Sequence, residues 1–215
     1  LDKVSVLASG GLDSSVLIAQ MAREAQVYPI YVKCGLAWEH IELQGLHAFI
    51  DALGNPNVMP LTVLSAPIAA AYGDHWSVSG TSVPAADDPD EAMFIPGRNI
   101  LLIGFAAIWC STHGVSRIVI GSLGGNPFPD ATPEFFDSFA RALGLGLRHE
   151  LRIEAPWRGL HKDDVIKMFS DLPLELTFTC AAPRDGLHCG RCNKCYERQV
   201  AFKTSGIADR TRYAP

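Results

Sequence analysis

The chain has 215 residues, 48% of them hydrophobic, and a formal net charge of −5. That is enough apolar material for one α/β core with a small appendix, and the acidic balance argues against a broad nucleic-acid-binding face, which needs a basic footprint. The longest strongly apolar stretch, residues 100–110, is shorter than the ~20 residues a membrane-spanning helix requires. With no signal-peptide pattern and few cysteines outside one cluster, the expectation is a cytoplasmic protein with no membrane partner and no stably bound nucleic acid.

Residues 4–8 form a short apolar run that reads as a buried strand. It leads into Ser9-Gly10-Gly11-Leu12-Asp13-Ser14-Ser15 and then into a helix pattern over 14–24. A glycine-rich turn between strand and helix is a phosphate cradle, because the backbone can come close to an anion and the helix start presents free amides and a positive dipole end. It is not a Walker A loop: no lysine follows the glycines, and the loop is shorter. Four further buried strands are predicted at 27–33, 58–64, 117–121 and 148–153, alternating with helices over 39–53, 99–113 and 133–143, with another helix over 162–169. Strands and helices in alternation predict a doubly wound, five-stranded parallel sheet with right-handed crossovers, and a ligand at the carboxyl ends of its strands. Thr132, Pro133 and Glu134 mark a capped helix start. Between residues 65 and 94 the pattern weakens into small, polar, proline-containing sequence, read either as a solvated loop or as a lid.

Near the carboxyl end Cys180, Cys189, Cys192 and Cys195 fall within sixteen residues, the last three spaced Cys-x2-Cys-x2-Cys. Four thiols this close can converge on one metal through short turns, and tetrahedral zinc is the default, with an iron–sulfur cluster as the rival. The metal-binding segment is placed at 178–200 within a single domain spanning 1–215. Cys34 and Cys110 read as core thiols, and His75, His149 and His188 as solvated or satisfied, since none has a ligand-like spacing partner.

Together Ser9 to Ser15, Phe94-Ile95-Pro96-Gly97-Arg98-Asn99, the Pro129-Asp130…Pro133-Glu134-Phe135 string, Lys162 and the cysteine-bearing tail resemble the QueC family of queuosine biosynthesis, within the PP-loop ATP pyrophosphatases. The resemblance implies the adenine nucleotide alpha hydrolase-like fold, structural zinc, magnesium, a homodimer, and ATP-dependent conversion of 7-carboxy-7-deazaguanine and ammonia to the nitrile through an acyl adenylate and an amide. It also implies ATP and pyrophosphate contacts from Ser9, Gly10, Gly11, Leu12, Asp13, Ser14 and Ser15, with Asp13 toward magnesium. Arg98 and Lys162 are the cations expected against charge developing on the phosphates, with Asp13 completing the catalytic set. Asp130, Glu134 and Asn99 are candidate substrate contacts, although Asp130 and Glu134 read equally well as helix-start residues.

Two departures bear on substrate. Where family members read Asp-Tyr-Gly-Gln-Arg-His after the second strand, this chain has Lys33-Cys34-Gly35-Leu36-Ala37-Trp38, and the loop over 124–132 is shorter and lacks a cysteine and an arginine. The alternatives left open are a relative adenylating another carboxylate, a PP-loop enzyme that thiolates tRNA, and a nucleotide-binding or zinc-ribbon module without catalysis.

Overall fold

Alternating side chains along the central strands divide the apolar residues between two faces of one sheet. In β1 (Asp2–Leu7) Val4 and Val6 point to one face and Leu7 to the other, and β2 (Ala25–Lys33) sends Val27 and Tyr31 one way and Ile30 and Val32 the other. Strands buried on both faces must be covered by helices on both faces, which is why these runs are almost continuously apolar. The computed structural model describes residues 1–215 and has this architecture: five parallel strands in the order β3-β2-β1-β4-β5, completed by β3 (Thr62–Ser65), β4 (Arg117–Val119) and β5 (Arg152–Glu154). Helices α1 (Leu12–Met21) and α2 (Glu39–Leu53) contribute to the core that holds Val4 and Val6. After β3 come two four-residue helices, α3 (Ala69–Tyr72) and α4 (Trp76–Ser79), and then α5 (Arg98–His113) and α6 (Pro133–Leu147), which pack on the opposite face. Two helices complete the chain, α7 (Lys162–Met168), which covers the α1 side, and α8 (Asn193–Ser205), which packs on α7.

The chain moves outward from β1 through β2 to β3, returns past β1, and moves outward again through β4 to β5. The reversal lies between β1 and β4, so the loops after these two strands diverge and leave a crevice at their carboxyl ends.

Several predicted bounds shift for identifiable reasons. The third strand is not continuous over 58–64: Val58 makes an isolated bridge to Val27, Pro60 has no N–H to donate, and regular pairing starts at Thr62. Helix α6 runs through Gly144 and Gly146 to Leu147 and stops at Arg148, which has a left-handed φ of 51°. The fifth strand therefore begins at Arg152, four residues later than the apolar pattern implied. Helix α8 was not anticipated, since its strongly polar sequence hides the face that buries Arg198, Ala201 and Phe202. No helix is long and apolar enough to cross a membrane.

Candidate functional site

The turn after β1 is built from its own backbone. Gly10 has φ +76°, and a Cβ there would lie 2.5 Å from the carbonyl oxygen of Glu42, so only glycine lets the turn pack against α2. Ser14 Oγ accepts from the Ser9 backbone N–H at 3.0 Å and lies 3.1 Å from Ser9 Oγ, which closes the turn across its mouth. No side chain caps α1 at Gly11, leaving its first amides for a ligand. The Gly10 carbonyl accepts from Phe178 N–H at 2.7 Å, tying the cysteine-bearing tail to the turn.

This turn forms one wall of a cavity of about 250 Å³ at the carboxyl ends of β1, β2 and β4. Ser9, Gly11, Asp13, Ser14, Arg98, Asn99, Asp130 and Lys162 line it. Residues more than a hundred positions apart thus meet in one space, as the crevice rule requires. Gly10, Leu12 and Ser15 do not line it: Gly10 faces α2, and Leu12 and Ser15 are fully buried beneath the turn. Glu134 lies outside it as well, exposed on the first turn of α6, where Thr132 Oγ1 caps the helix by accepting from Phe135 N–H at 3.1 Å. Of the predicted substrate contacts, Asn99 and Asp130 are joined to each other: Asp130 Oδ2 accepts from Asn99 N–H at 3.1 Å, and Asn99 Nδ2 donates to the Asp130 carbonyl at 3.0 Å. The carboxylate therefore also caps the start of α5.

Lys162 sits between two carboxylates, 2.7 Å from Glu197 Oε1 and 3.3 Å from Asp13 Oδ2, and Lys194 reaches Glu197 at 3.0 Å. Burial alone would lower Lys162, but Asp13 and Glu197 outweigh it and raise its pKa, so it carries a proton. Burial likewise opposes the charge on Glu197, and Lys162 and Lys194 overcome it to hold the carboxyl down at about 2. Asp13 goes the other way, because burial outweighs Lys162 and Glu197 repels it. Its Oδ1 and the Nε of Arg98 are buried without a hydrogen-bond partner. An orphaned acidic oxygen and an orphaned guanidinium donor in one cavity fit a cation and an anion that arrive together.

Sequence reasoning missed Lys194, Glu197, Glu39 and Glu42. The first two lie on α8, a helix not anticipated, and the second two on the inner side of α2, where Glu39 and Glu42 are each only 6% exposed. The available signal was the three-residue spacing of the two glutamates at the start of an amphipathic helix, which puts both on one face.

The weakly patterned segment after β3 is a wall of this cavity. Trp76, Met93 and Phe94 line it, and the Trp76 ring stacks on Trp38 with centroids 5.7 Å apart. The cysteine-bearing tail pins the segment: Ala85 bridges to Cys192, and Asn193 Nδ2 donates to the Asp88 carbonyl at 3.2 Å and to Asp90 Oδ1 at 3.1 Å. Both regions that depart from the family pattern also reach the cavity, through Leu36 and Trp38 in one and Asn126, Phe128 and Asp130 in the other.

The four cysteines converge. All four are buried, their sulfurs lie within 4.8 Å of one another, and the Cys180–Cys192 and Cys189–Cys195 Sγ pairs are 4.0 and 3.9 Å apart. Backbone N–H groups of Ala182 and Cys189 donate to Cys180 Sγ at 3.3 and 3.2 Å, and those of Arg191 and Cys192 to Cys189 Sγ at 3.4 and 3.3 Å. Four thiolates this close, with amides stabilising their charge, form a donor set that can bind one metal ion. Cys34 and Cys110 are buried apart from this group, their thiols pushed up by burial to about 11 and about 12. The three histidines singled out are satisfied: His149 Nε2 bonds the Val115 carbonyl at 2.8 Å, His188 Nε2 accepts from Thr179 N–H at 3.2 Å, and His75 caps α4.

A family model described as queuosine biosynthesis protein QueC matches residues 3–206. The chain belongs to the QueC family. Among its relatives, the 7-cyano-7-deazaguanine synthase of Pseudomonas fluorescens is 31% identical, with 97% of this chain and 96% of that protein aligned. The proteins of the same name from Solidesulfovibrio magneticus and Methanothermobacter thermautotrophicus are 30% and 29% identical, covering 99% and 98% of this chain and 96% and 98% of theirs. Among solved structures, a predicted subunit of tRNA methyltransferase from Methanocaldococcus jannaschii superposes with a TM-score of 0.50 at 14% identity over 79% of this chain and 75% of that one. At that identity the likeness concerns the fold alone.

Proposed function

We propose that this QueC-family protein is a carbon–nitrogen ligase that uses ATP to convert 7-carboxy-7-deazaguanine and ammonia to 7-cyano-7-deazaguanine. The observation that carries the reading is the single cavity in which the phosphate turn, the protonated Lys162, Arg98 with its orphaned Nε, and Asp130 with Asn99 all face one another. In this reading the amides at the start of α1 and the hydroxyls of Ser9 and Ser14 hold the pyrophosphate. Lys162, released from Asp13 and Glu197 as phosphate charge arrives, stabilises the charge that develops when the substrate carboxylate attacks the α-phosphorus and pyrophosphate departs. Asp13, with its unpartnered Oδ1, and Glu197 supply hard oxygen ligands for magnesium, which would neutralise phosphate charge. Lys194 adds a second cation from the tail. Displacement of AMP by ammonia gives the amide, and a second activation followed by loss of the oxygen gives the nitrile.

Zinc is the metal proposed for the cysteine site. Sulfurs about 4 Å apart match four thiolates on one tetrahedral ion at ~2.3 Å, whereas an iron–sulfur cluster spreads its thiolates over several irons. Its role is to fasten residues 180–195 to the phosphate turn and the segment around 85–90. A second copy of the chain is the proposed partner, supported by Ile108 and Leu145, which stay 54% and 75% exposed on α5 and α6; light scattering tests it.

Incubation with magnesium-ATP, ammonium and 7-carboxy-7-deazaguanine should yield AMP, pyrophosphate, and the masses of the amide and nitrile. Folded, ATP-binding protein that gives neither product would overturn this substrate. The second reading, a related acid as substrate, is favoured by Leu36 and Trp38, which put apolar surface in the cavity where the family pattern carries polar residues.

A further inference from the structure

Glu42 is held beside the phosphate turn by backbone packing. Its carbonyl would lie 2.5 Å from a Cβ on Gly10, so the start of α2 sits in close contact with the phosphate turn. Glu42 lines the same cavity as Ser14, Arg98 and Asp130. Tyr31 Oη donates to Glu42 Oε2 at 2.9 Å and is itself buried, which fixes the carboxylate's direction. Glu39, one turn earlier, is committed elsewhere: its two oxygens accept from the backbone N–H groups of Cys34 and Gly35, so it braces the loop after β2. An ionised carboxylate accepts at about four lone-pair positions, and Tyr31 and the Trp38 indole leave part of that capacity at Glu42 for a ligand. A buried acid facing a ligand cavity, aimed by a hydroxyl and not spent on structure, is placed for proton transfer.

We propose that Glu42, oriented by Tyr31, removes the proton from ammonium and so delivers neutral ammonia to the acyl adenylate. This rests on the ligase reading above. In the step, one N–H proton passes to Glu42 and the freed nitrogen lone pair attacks the acyl carbon. A C–N bond forms, the bond from the acyl carbon to the phosphate oxygen breaks, and AMP leaves with that electron pair. The second proton goes to the AMP phosphate or to water, so acyl adenylate and ammonium give amide, AMP and two protons. Burial raises the Glu42 carboxyl to about 7, against Arg98 on α5, Tyr31 on β2 and the Trp38 indole, with Glu39 adding to the rise. Cys34, the other titratable group nearby, remains a neutral thiol. A base with its pKa near the working pH is the effective one for general catalysis.

The test separates adenylation from amination. Glu42→Gln and Tyr31→Phe are assayed with 7-carboxy-7-deazaguanine for acid-dependent ATP–pyrophosphate exchange, for amide formation with ammonium, and for hydroxamate formation with hydroxylamine, which is neutral near pH 7 and needs no base. In Glu42→Gln, exchange and hydroxamate should stay within a few-fold of the parent while amide falls by about a hundredfold or more. The residual amide rate should climb with pH in step with free ammonia, unlike the parent. Tyr31→Phe, which keeps the carboxylate but loosens its aim, should show the same split to a smaller degree. Amide formation unchanged in Glu42→Gln, or lost together with exchange and hydroxamate in both variants, overturns the proposal. A parent protein that shows no exchange overturns the ligase reading itself, and this proposal with it.

Discussion

The two ends of the cavity are made in different ways. The phosphate end is mostly local: seven consecutive residues, closed by contacts among Ser9, Gly11 and Ser14, present the helix amides, with α2 and the tail packed against them. The acid end is assembled from distant pieces, with Tyr31 and Trp38 around the second crossover, Trp76 and Phe94 from the segment after β3, Arg98 and Asn99 at the start of α5, and Asp130 before α6. A site of the first kind can be carried from relative to relative as a short string, whereas one of the second kind changes whenever any contributing loop changes. This is why the departures at 33–38 and 124–132 leave the phosphate turn's residues unchanged and alter the other end.

The sharpest way to break the comparison is at the phosphate end. Asp13→Ala and Ser14→Ala should each reduce AMP formation by about a hundredfold or more, since prepositioned contacts to the departing pyrophosphate are removed. Circular dichroism should show the fold unchanged, because Asp13 is not part of the core; unaltered AMP release in both variants would sink the nucleotide assignment.

Metal loss should act on both ends at once. Cys192→Ser is expected to lower zinc content and Tm together, with a loss of several kcal/mol, because the binding free energy of a closed thiolate site is largely folding free energy. Proteolysis should then first cut near residues 80–90, the stretch held by the Ala85–Cys192 bridge and by Asn193. Iron with acid-labile sulfide, in place of one zinc per chain, would refute the assignment of the metal.

A smaller effect concerns stability and pH at the acid end. Because burial raises Glu42 in the fold to about 7 from its ordinary 4.5, its contribution is fully present below about pH 4.5 and is lost as pH rises through about 7. Glu42→Gln should therefore remove part of the fall in unfolding free energy between pH 5.5 and 8.5, by up to about 2 kcal/mol. Calorimetry at the two values decides this, and a parallel fall in parent and variant would show that Glu42 is solvated in the folded protein.

The smallest expected effect sharpens the distinction between the ends. Trp38→Leu should raise KM for the acid several-fold, through loss of the stacked Trp38–Trp76 surface, while leaving KM for ATP unchanged. Equal changes in both would mean that the two ends are not separable.

By itself the sequence determined the doubly wound sheet, the place of the phosphate turn at the end of β1, and the four-cysteine cluster. Each is written in near neighbours: apolar runs of strand length, a glycine pair at a strand–helix junction, and four thiols within sixteen residues. Helix α2 was legible residue for residue because its amphipathic pattern is regular and Gly54 ends it in a left-handed conformation. Arg98, Asn99, Asp130 and Lys162 were legible as residues, and their meeting in one cavity follows from the reversal of strand order between β1 and β4. Only the tertiary structure decided that Glu134 stays in solvent, that Trp76, Met93 and Phe94 bring the segment 65–94 to the cavity wall, that Glu42 and Lys194 line the cavity, and that Glu197 pairs with Lys162. The physical reason is that the burial and partners of a charged side chain come from residues far away in sequence, so a glutamate on a helix reads alike whether it meets water or a buried tyrosine.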